Sequence, residues 1–273
     1  MAKHLLSVAG QDASGLTPAL ISVNAGKRPH RFAQRGLGHR RPVISARLRK
    51  PLVSRTAKKK EDLGMTTVAM ARCRCGTVEA RVTEASPGTV NRVVCYCDDC
   101  QAFAHHLGRA DLLDRNGGTD IVQMAPSTIT FTKGHQNLVG LRLSPKGLYR
   151  WHTACCKTPM GNTVGPQLPF VGFVAQSFDH DGQHADQVFG KPIGAILGKY
   201  AIGEVPAKSR GMPLGLVARA VWKVLGWKLT GKTWPHPFFA RGTGAPLYPV
   251  HVITREERDA LRALCGPRPV PAA

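Results

Sequence analysis

Three of the eight cysteines fall within six residues, as Cys95-Tyr96-Cys97-Asp98-Asp99-Cys100. A tight turn brings positions i, i+2 and i+5 to one side, so three sulfurs can converge on one point. Three thiolates on a tetrahedral Zn²⁺ leave one position free, which is the arrangement of a reactive site. Two more cysteines precede the run as Cys73-Arg74-Cys75, and two follow as the adjacent pair Cys155-Cys156. Cys73, Cys75 and Cys156, with Cys155 as the fourth ligand, are expected to form a closed structural site that contributes directly to folding free energy. The expectation is therefore Zn²⁺ at two places per chain. The late pair is the difficult part, because consecutive side chains on an extended backbone point opposite ways.

Other readings stand beside this one. A buried cysteine often acts as a small hydrophobe; that suits Cys265, alone in an expected helix, better than seven cysteines in three clusters. Cys97-x-x-Cys100 also matches a dithiol motif, which usually opens a helix within a βαβ pattern not expected here. A further arrangement gathers all five early cysteines into one cluster with no open position. His105 and His106 follow the run by five and six residues. One of them is a candidate fourth ligand or acid/base, against the plainer reading of solvated surface histidines. Asp98 and Asp99 add negative charge beside the thiolates. Arg150 is expected to stabilise those thiolates or to pair with an acid, and Asp111 and Asp114 to be helix-end or loop polar groups.

The elements that must position these groups read as short strands from residue 66 to about residue 178. Val78–Val82 alternates, Thr89–Cys95 is β-branched after Pro87-Gly88, and Thr128–Thr132 ends at Lys133-Gly134. Leu138–Leu143 and Leu148–His152 flank Ser144-Pro145-Lys146-Gly147, a type I turn signal, and define a hairpin. That hairpin ends just before Cys155, so a sheet delivers the late cysteines to the early ones. Beyond residue 185 the pattern becomes helical. Residues 213–229 are mostly apolar with a narrow polar stripe, predicting a helix that covers the sheet. A cationic, aromatic helix of this kind also suits a membrane surface. Thr254-Arg255-Glu256-Glu257 is a capping box for a last helix. The expected fold is mainly β: stacked antiparallel sheets holding zinc at 65–185, with a helical extension over 186–273 packing on them.

Half of the net charge of +21 falls in residues 1–64. That segment has no periodicity and reads as a disordered basic tail, or as an over-extended gene start ahead of Met65 or Met70. A nucleic-acid-binding arm is a lesser alternative, since Phe32 alone would supply stacking. Transit peptides share the Arg-rich, acid-poor bias. Clustered cysteines, too close to bridge without strain, point to a reducing, cytoplasmic setting. No run of 18 uncharged apolar residues predicts a transmembrane helix.

The order C-x-C-G (Cys73 to Gly76), C-x-C-x-x-C (Cys95 to Cys100) and a late cysteine before Lys157-Thr158-Pro159-Met160 resembles the glutathione-dependent formaldehyde-activating enzyme family. That family shares its domain with centromere protein V. The resemblance covers about residues 68–178. It implies a small β-rich zinc fold, a structural zinc on the first C-x-C and a later C-x-x-C, and a catalytic zinc on Cys95, Cys97 and Cys100. Thr153 stands where the family's first late cysteine belongs, so Cys155 or His152 must replace it. Tyr96 and Asp98 stand where the family usually has His and Ser. The implied activity is carbon–sulfur bond formation, as in a zinc-dependent lyase joining a thiol to a small aldehyde. The alternative is a non-catalytic zinc module that binds nucleic acid or a protein partner.

Overall fold

The structure is a computed structural model and describes residues 67–267. The basic segment expected over residues 1–64 lies outside the described residues. The chain is mainly β, with one sheet of eight strands, one of three, and helices toward the C-terminus.

The small sheet is antiparallel and pairs β1 (Ala69–Arg72) with β2 (Glu79–Val82), and β2 with a later strand. The turn between β1 and β2 carries Cys73 and Cys75. β3 (Asn91–Cys95) follows and delivers Cys95, after which Cys97 opens helix α1 (Asp98–His106). β4 (Thr119–Met124) returns antiparallel to β3. β5 (Ile129–Lys133) completes the small sheet beside β2. It ends at Gly134, where φ is +65° and an added Cβ would meet the Thr77 carbonyl oxygen at 2.1 Å.

β6 (Leu138–Arg142) and β7 (Tyr149–Thr153) form the expected hairpin, with Leu141 opposite Arg150 and Gly147 N–H closing the turn onto the Ser144 carbonyl at 2.9 Å. β8 (Pro159–Thr163) and β9 (Val171–Val174) carry the large sheet back to β4. α2 (Ala185–Phe189) and β10 (Ala195–Ile196) come next, then α3 (Leu214–Leu229), β11 (Val250–Val252) and α4 (Arg255–Arg262). The strand order is β10-β3-β4-β9-β8-β7-β6-β11, and both outer strands pair in parallel, which makes the sheet mixed. Both edge strands come from the segment after residue 185, which the sequence suggested only as helical.

The main core draws on both sheets, with Ala69, Ala71, Val78, Ala80 and Val82 from the small one and Val122, Met124, Trp151, Met160 and Phe173 from the large one. Trp151 is fully buried and stacks on Phe238, centroids 4.8 Å apart, so the late segment fills the core as well as the edges. Aromatic pairs of this kind add about 0.5–1.5 kcal/mol beyond area burial. The Trp151 indole N–H donates to Thr163 Oγ1 at 2.9 Å, satisfying its one polar atom. The capping box of α4 is formed as expected, with Thr254 Oγ1 accepting from Glu257 N–H and Glu257 Oε2 from Thr254 N–H. Among the described residues no helix is long and apolar enough to cross a membrane.

Candidate metal centres

The structure brings Cys73, Cys75, Cys155 and Cys156 together, all four sulfurs within 4.8 Å of one another. Cys73 lies 3.5 Å from Cys75 and 4.0 Å from Cys155; Cys75 lies 3.4 Å from Cys155, and Cys155 3.9 Å from Cys156. A metal–sulfur bond of about 2.3 Å gives a tetrahedral edge of about 3.8 Å. The four thiols therefore fit a metal ion and are too far apart for disulfides, and all are free.

The adjacent pair joins the site because it is not extended. Residues 154–156 form a turn, Lys157 N–H donates to the Thr153 carbonyl at 2.9 Å, and Lys157 takes a φ of 54°. The turn directs both sulfurs to one side. His152, the alternative ligand, faces elsewhere and packs edge-on against Phe103. Supporting groups surround the sulfurs. Val78 N–H donates to Cys73 Sγ at 3.2 Å, while the Thr153 and Thr158 hydroxyls lie 3.4 and 3.1 Å from Cys156 Sγ. Burial pushes the Cys73 thiol up to about 12. Burial works against the Cys156 thiolate, but hydrogen bonds from the Thr153 and Thr158 hydroxyls and from Cys75 together bring Cys156 down to about 5.

The second cluster is Cys95, Cys97 and Cys100, again within 4.8 Å of one another. β3 ends on Cys95, and Cys97 is the N-cap of α1, its sulfur accepting from Cys100 N–H at 3.4 Å. The expected tight turn is thus the first turn of a helix. Cys97-x-x-Cys100 does open a helix, contrary to the sequence reading, although β3 and β4 around it are antiparallel and form no βαβ unit. The thiols of Cys95 and Cys97, followed by the Arg150 guanidinium, hold Cys100 well below the usual thiol range despite its burial. Cys95 and Cys97 are raised in turn by their hydrogen bonds to Cys100. The five early cysteines form no single cluster.

Arg150 is the cation of this site. Its Nη1 lies 3.8 Å from Cys100 Sγ and its Nη2 3.8 Å from the Asp99 carboxylate. The negative charge of Asp98 and Asp99 is also met from α4, where Arg262 pairs with both carboxylates. Sequence reasoning missed Arg262, since nothing local links residues 98 and 262. It also missed Thr158, whose hydroxyl accepts from Arg74 N–H and Arg109 as well as touching Cys156. Asp111 pairs with Arg109 at 2.8 Å, and Asp114 accepts from Tyr96 Oη and two loop N–H groups. Both are the local polar groups expected.

His105 and His106 do not join the three thiols. His106 lines a separate pocket of about 400 Å³ with His152 and His251, and burial lowers its pKa. The three-thiol site instead borders a cavity of about 10 Å³ lined by Cys100, Arg150, Asn162 and Thr119. Asn162 Oδ1 and Thr119 Oγ1 are both buried without a partner. The space suits about one water-sized group. Leu112, Pro159 and Val174 line this cavity and also a larger pocket of about 480 Å³, whose other walls include Arg72, Arg74, Arg109 and Cys75.

The sequence profile of the family of unknown function DUF6151 matches residues 65–250. The chain belongs to that family. The match spans the residues of both cysteine clusters. No curated protein matches the chain. A crystal structure of a Rhodobacter sphaeroides protein is 16% identical, covering 46% of this chain and 99% of that one, with a TM-score of 0.32.

Proposed function

We propose that this DUF6151 member is a two-zinc protein whose three-thiol site carries out carbon–sulfur bond formation between a small thiol and an aldehyde such as formaldehyde. The observation that carries the reading is the small cavity beside the three-thiol cluster. Cys100 of that cluster and the buried Arg150 guanidinium line a space for about one water-sized group, and Leu112, Pro159 and Val174 form a wall shared with a substrate-sized pocket. The resemblance in cysteine order to formaldehyde-activating enzymes supports the same reading, with a cytoplasmic setting to keep the thiols reduced.

Cys95, Cys97 and Cys100 would hold the metal, and Cys73, Cys75, Cys155 and Cys156 would hold the structural one. A zinc ion held there would supply Lewis acidity, which favours an incoming thiol as its anion near neutral pH. Arg150 offsets the negative charge that the sulfurs accumulate, and its own burial strengthens that effect. Asn162 and Thr119 offer polar atoms toward the reacting group. In the larger pocket Arg72 is paired with Glu79 and Asp181 and Arg109 with Asp111, which leaves Arg74 as the cation to meet a carboxylate-bearing thiol. In the net step a thiolate sulfur attacks the carbonyl carbon, the C=O π pair moves to oxygen, and a proton from solvent completes the hydroxymethyl thioether.

The test is metal analysis of the full chain together with a condensation assay using formaldehyde and a panel of thiols. Two zinc per chain, falling to one in Cys97→Ser with loss of turnover, is the expected result. A chain isolated with no metal and a reducible Cys97–Cys100 bond would instead make the helix-opening pair a dithiol redox centre. Two zinc with no turnover on any thiol would leave a non-catalytic metal module.

A further inference from the structure

α3 carries its polar groups sideways and inward and its apolar groups outward. Leu216, Val217 and Ala220 line a small cavity with Asn91, Val93 and Gln123, and Trp227 is buried. Arg219 reaches back to Asn91 Oδ1 at 2.7 Å, Lys223 to the Gly88 carbonyl at 2.5 Å, and Lys228 to the Gln167 carbonyl at 2.9 Å. What remains on the outer face is Leu214, Ala218, Val221, Trp222, Leu225 and Leu229, spaced to lie on one side of a helix. Leu214 is 86% exposed, Trp222 72% and Leu229 78%. A helix normally turns its apolar stripe to the core and its polar groups to solvent. Here half of the surface has no partner among the described residues.

The charge around this face selects its occupant. Between Glu204 and Glu256 the sequence holds eight Lys and Arg and no Asp or Glu. α3 itself carries no acid, and Lys228 stands at the edge of the apolar stripe, while Arg219 and Lys223 turn back to Asn91 and the Pro87-Gly88 turn. We propose that the outer face of α3 lies flat on a bilayer surface rich in anionic headgroups, with Trp222 at the level of the headgroup–acyl boundary. The apolar stripe supplies the buried area, and the acid-free, cationic segment around it adds attraction to an anionic leaflet. A second copy of the chain is the weaker partner, because pairing two such faces brings together two segments rich in Lys and Arg and free of acids. At 16 residues α3 lies on the surface and does not span it.

The test uses the full chain with vesicles of phosphatidylcholine containing roughly 30% phosphatidylglycerol, prepared with and without brominated acyl chains. Trp222 is the one strongly exposed tryptophan, since Trp151 and Trp227 are buried and Trp234 is half-buried. Bromine quenching of its emission is expected, with loss of the quenching in Trp222→Phe. Partitioning of Val221→Glu/Leu225→Glu should fall by about tenfold or more, with metal content unchanged. Vesicle binding without quenching would assign the interaction to the basic N-terminal segment and overturn the proposal. A Trp222 blue shift that grows with protein concentration in the absence of lipid would overturn it in favour of self-association.

Discussion

Arg150 aims its Nη1 at Cys100 Sγ from 3.8 Å away while its Nη2 sits 3.8 Å from the Asp99 carboxylate. The side chain is only 2% exposed, so a buried cation links the three sulfurs to the first turn of α1. Three thiolates exceed the charge of one divalent ion, and a buried excess charge is costly unless it is paired. Placing the guanidinium on β7, within a packed sheet, fixes the compensation without flexible loops.

Replacing Arg150 with Met keeps much of the volume and removes the charge. We expect the metal of the three-thiol site to be held about 10–100-fold more weakly, the usual cost of losing a group that supports ligands. The four-thiol site should keep its metal. Competition with a graded chelator series reads both constants in one experiment. Arg150→Lys should restore only part of the loss, because an ammonium cannot bridge sulfur and carboxylate with a planar fork. Equal weakening of both sites would show a general loss of folding and refute the local role.

The two clusters should contribute unequally to stability. Cys75 and Cys155 are 80 positions apart and join the β1–β2 turn of the small sheet to the β7–β8 turn of the large one. Cys95, Cys97 and Cys100 lie within six residues and restrain only a local segment. Metal in the first cluster therefore closes a long loop, while metal in the second closes almost none. Cys75→Ser should lower the denaturation midpoint much more than Cys97→Ser, although each removes one thiol from its cluster. The exposure of Cys75 means that lost packing makes little contribution. Urea titrations of the two variants at equal metal supply measure the difference.

Much of this arrangement is legible locally. The hairpin over Leu138–Thr153, the helix after Pro213 and the capping box at Thr254 follow from turn chemistry, period and capping, all short-range signals. The groupings of cysteines also follow, because thiol spacing restricts which sulfurs can meet. What the sequence hides is long-range or depends on a single backbone angle. The positive φ at Lys157 lets Cys155 and Cys156 share one site, and no residue type at position 157 announces it. Arg262 meets Asp98 and Asp99 only after α4 packs beside α1. β8 gives no alternating pattern because all five of its residues are buried. The polar stripe on α3 is real, but it points toward Asn91 and the Pro87-Gly88 turn, which leaves the apolar side outward.

Acid should weaken the fold through His236 before any carboxylate titrates. The ring is 5% exposed, packs on Phe239 with centroids 4.8 Å apart, and accepts Phe238 N–H at Nδ1 from 3.2 Å. Its Nε2 is buried without a partner. Burial pushes its pKa down to about 4, below the value of about 6.5 expected in the unfolded chain. Above about pH 6.5 both states are neutral and the residue adds no pH dependence. Below that the unfolded chain binds a proton that the folded one refuses, so stability falls until about pH 4 and then levels. At pH 5 the loss is about 2 kcal/mol from this residue. His152, also brought down to about 4 by burial, acts in the same direction. Thiolate–metal sites release metal over part of the same range, so the comparison must be between variants. His236→Asn retains an acceptor for Phe238 N–H and removes the titrating ring. The drop in unfolding free energy from pH 7.5 to pH 5 should be about 2 kcal/mol smaller in the variant than in the wild type, whatever constant cost its smaller side chain imposes. Identical drops in the two proteins would exclude His236 as the source and leave His152 and the metal ligands.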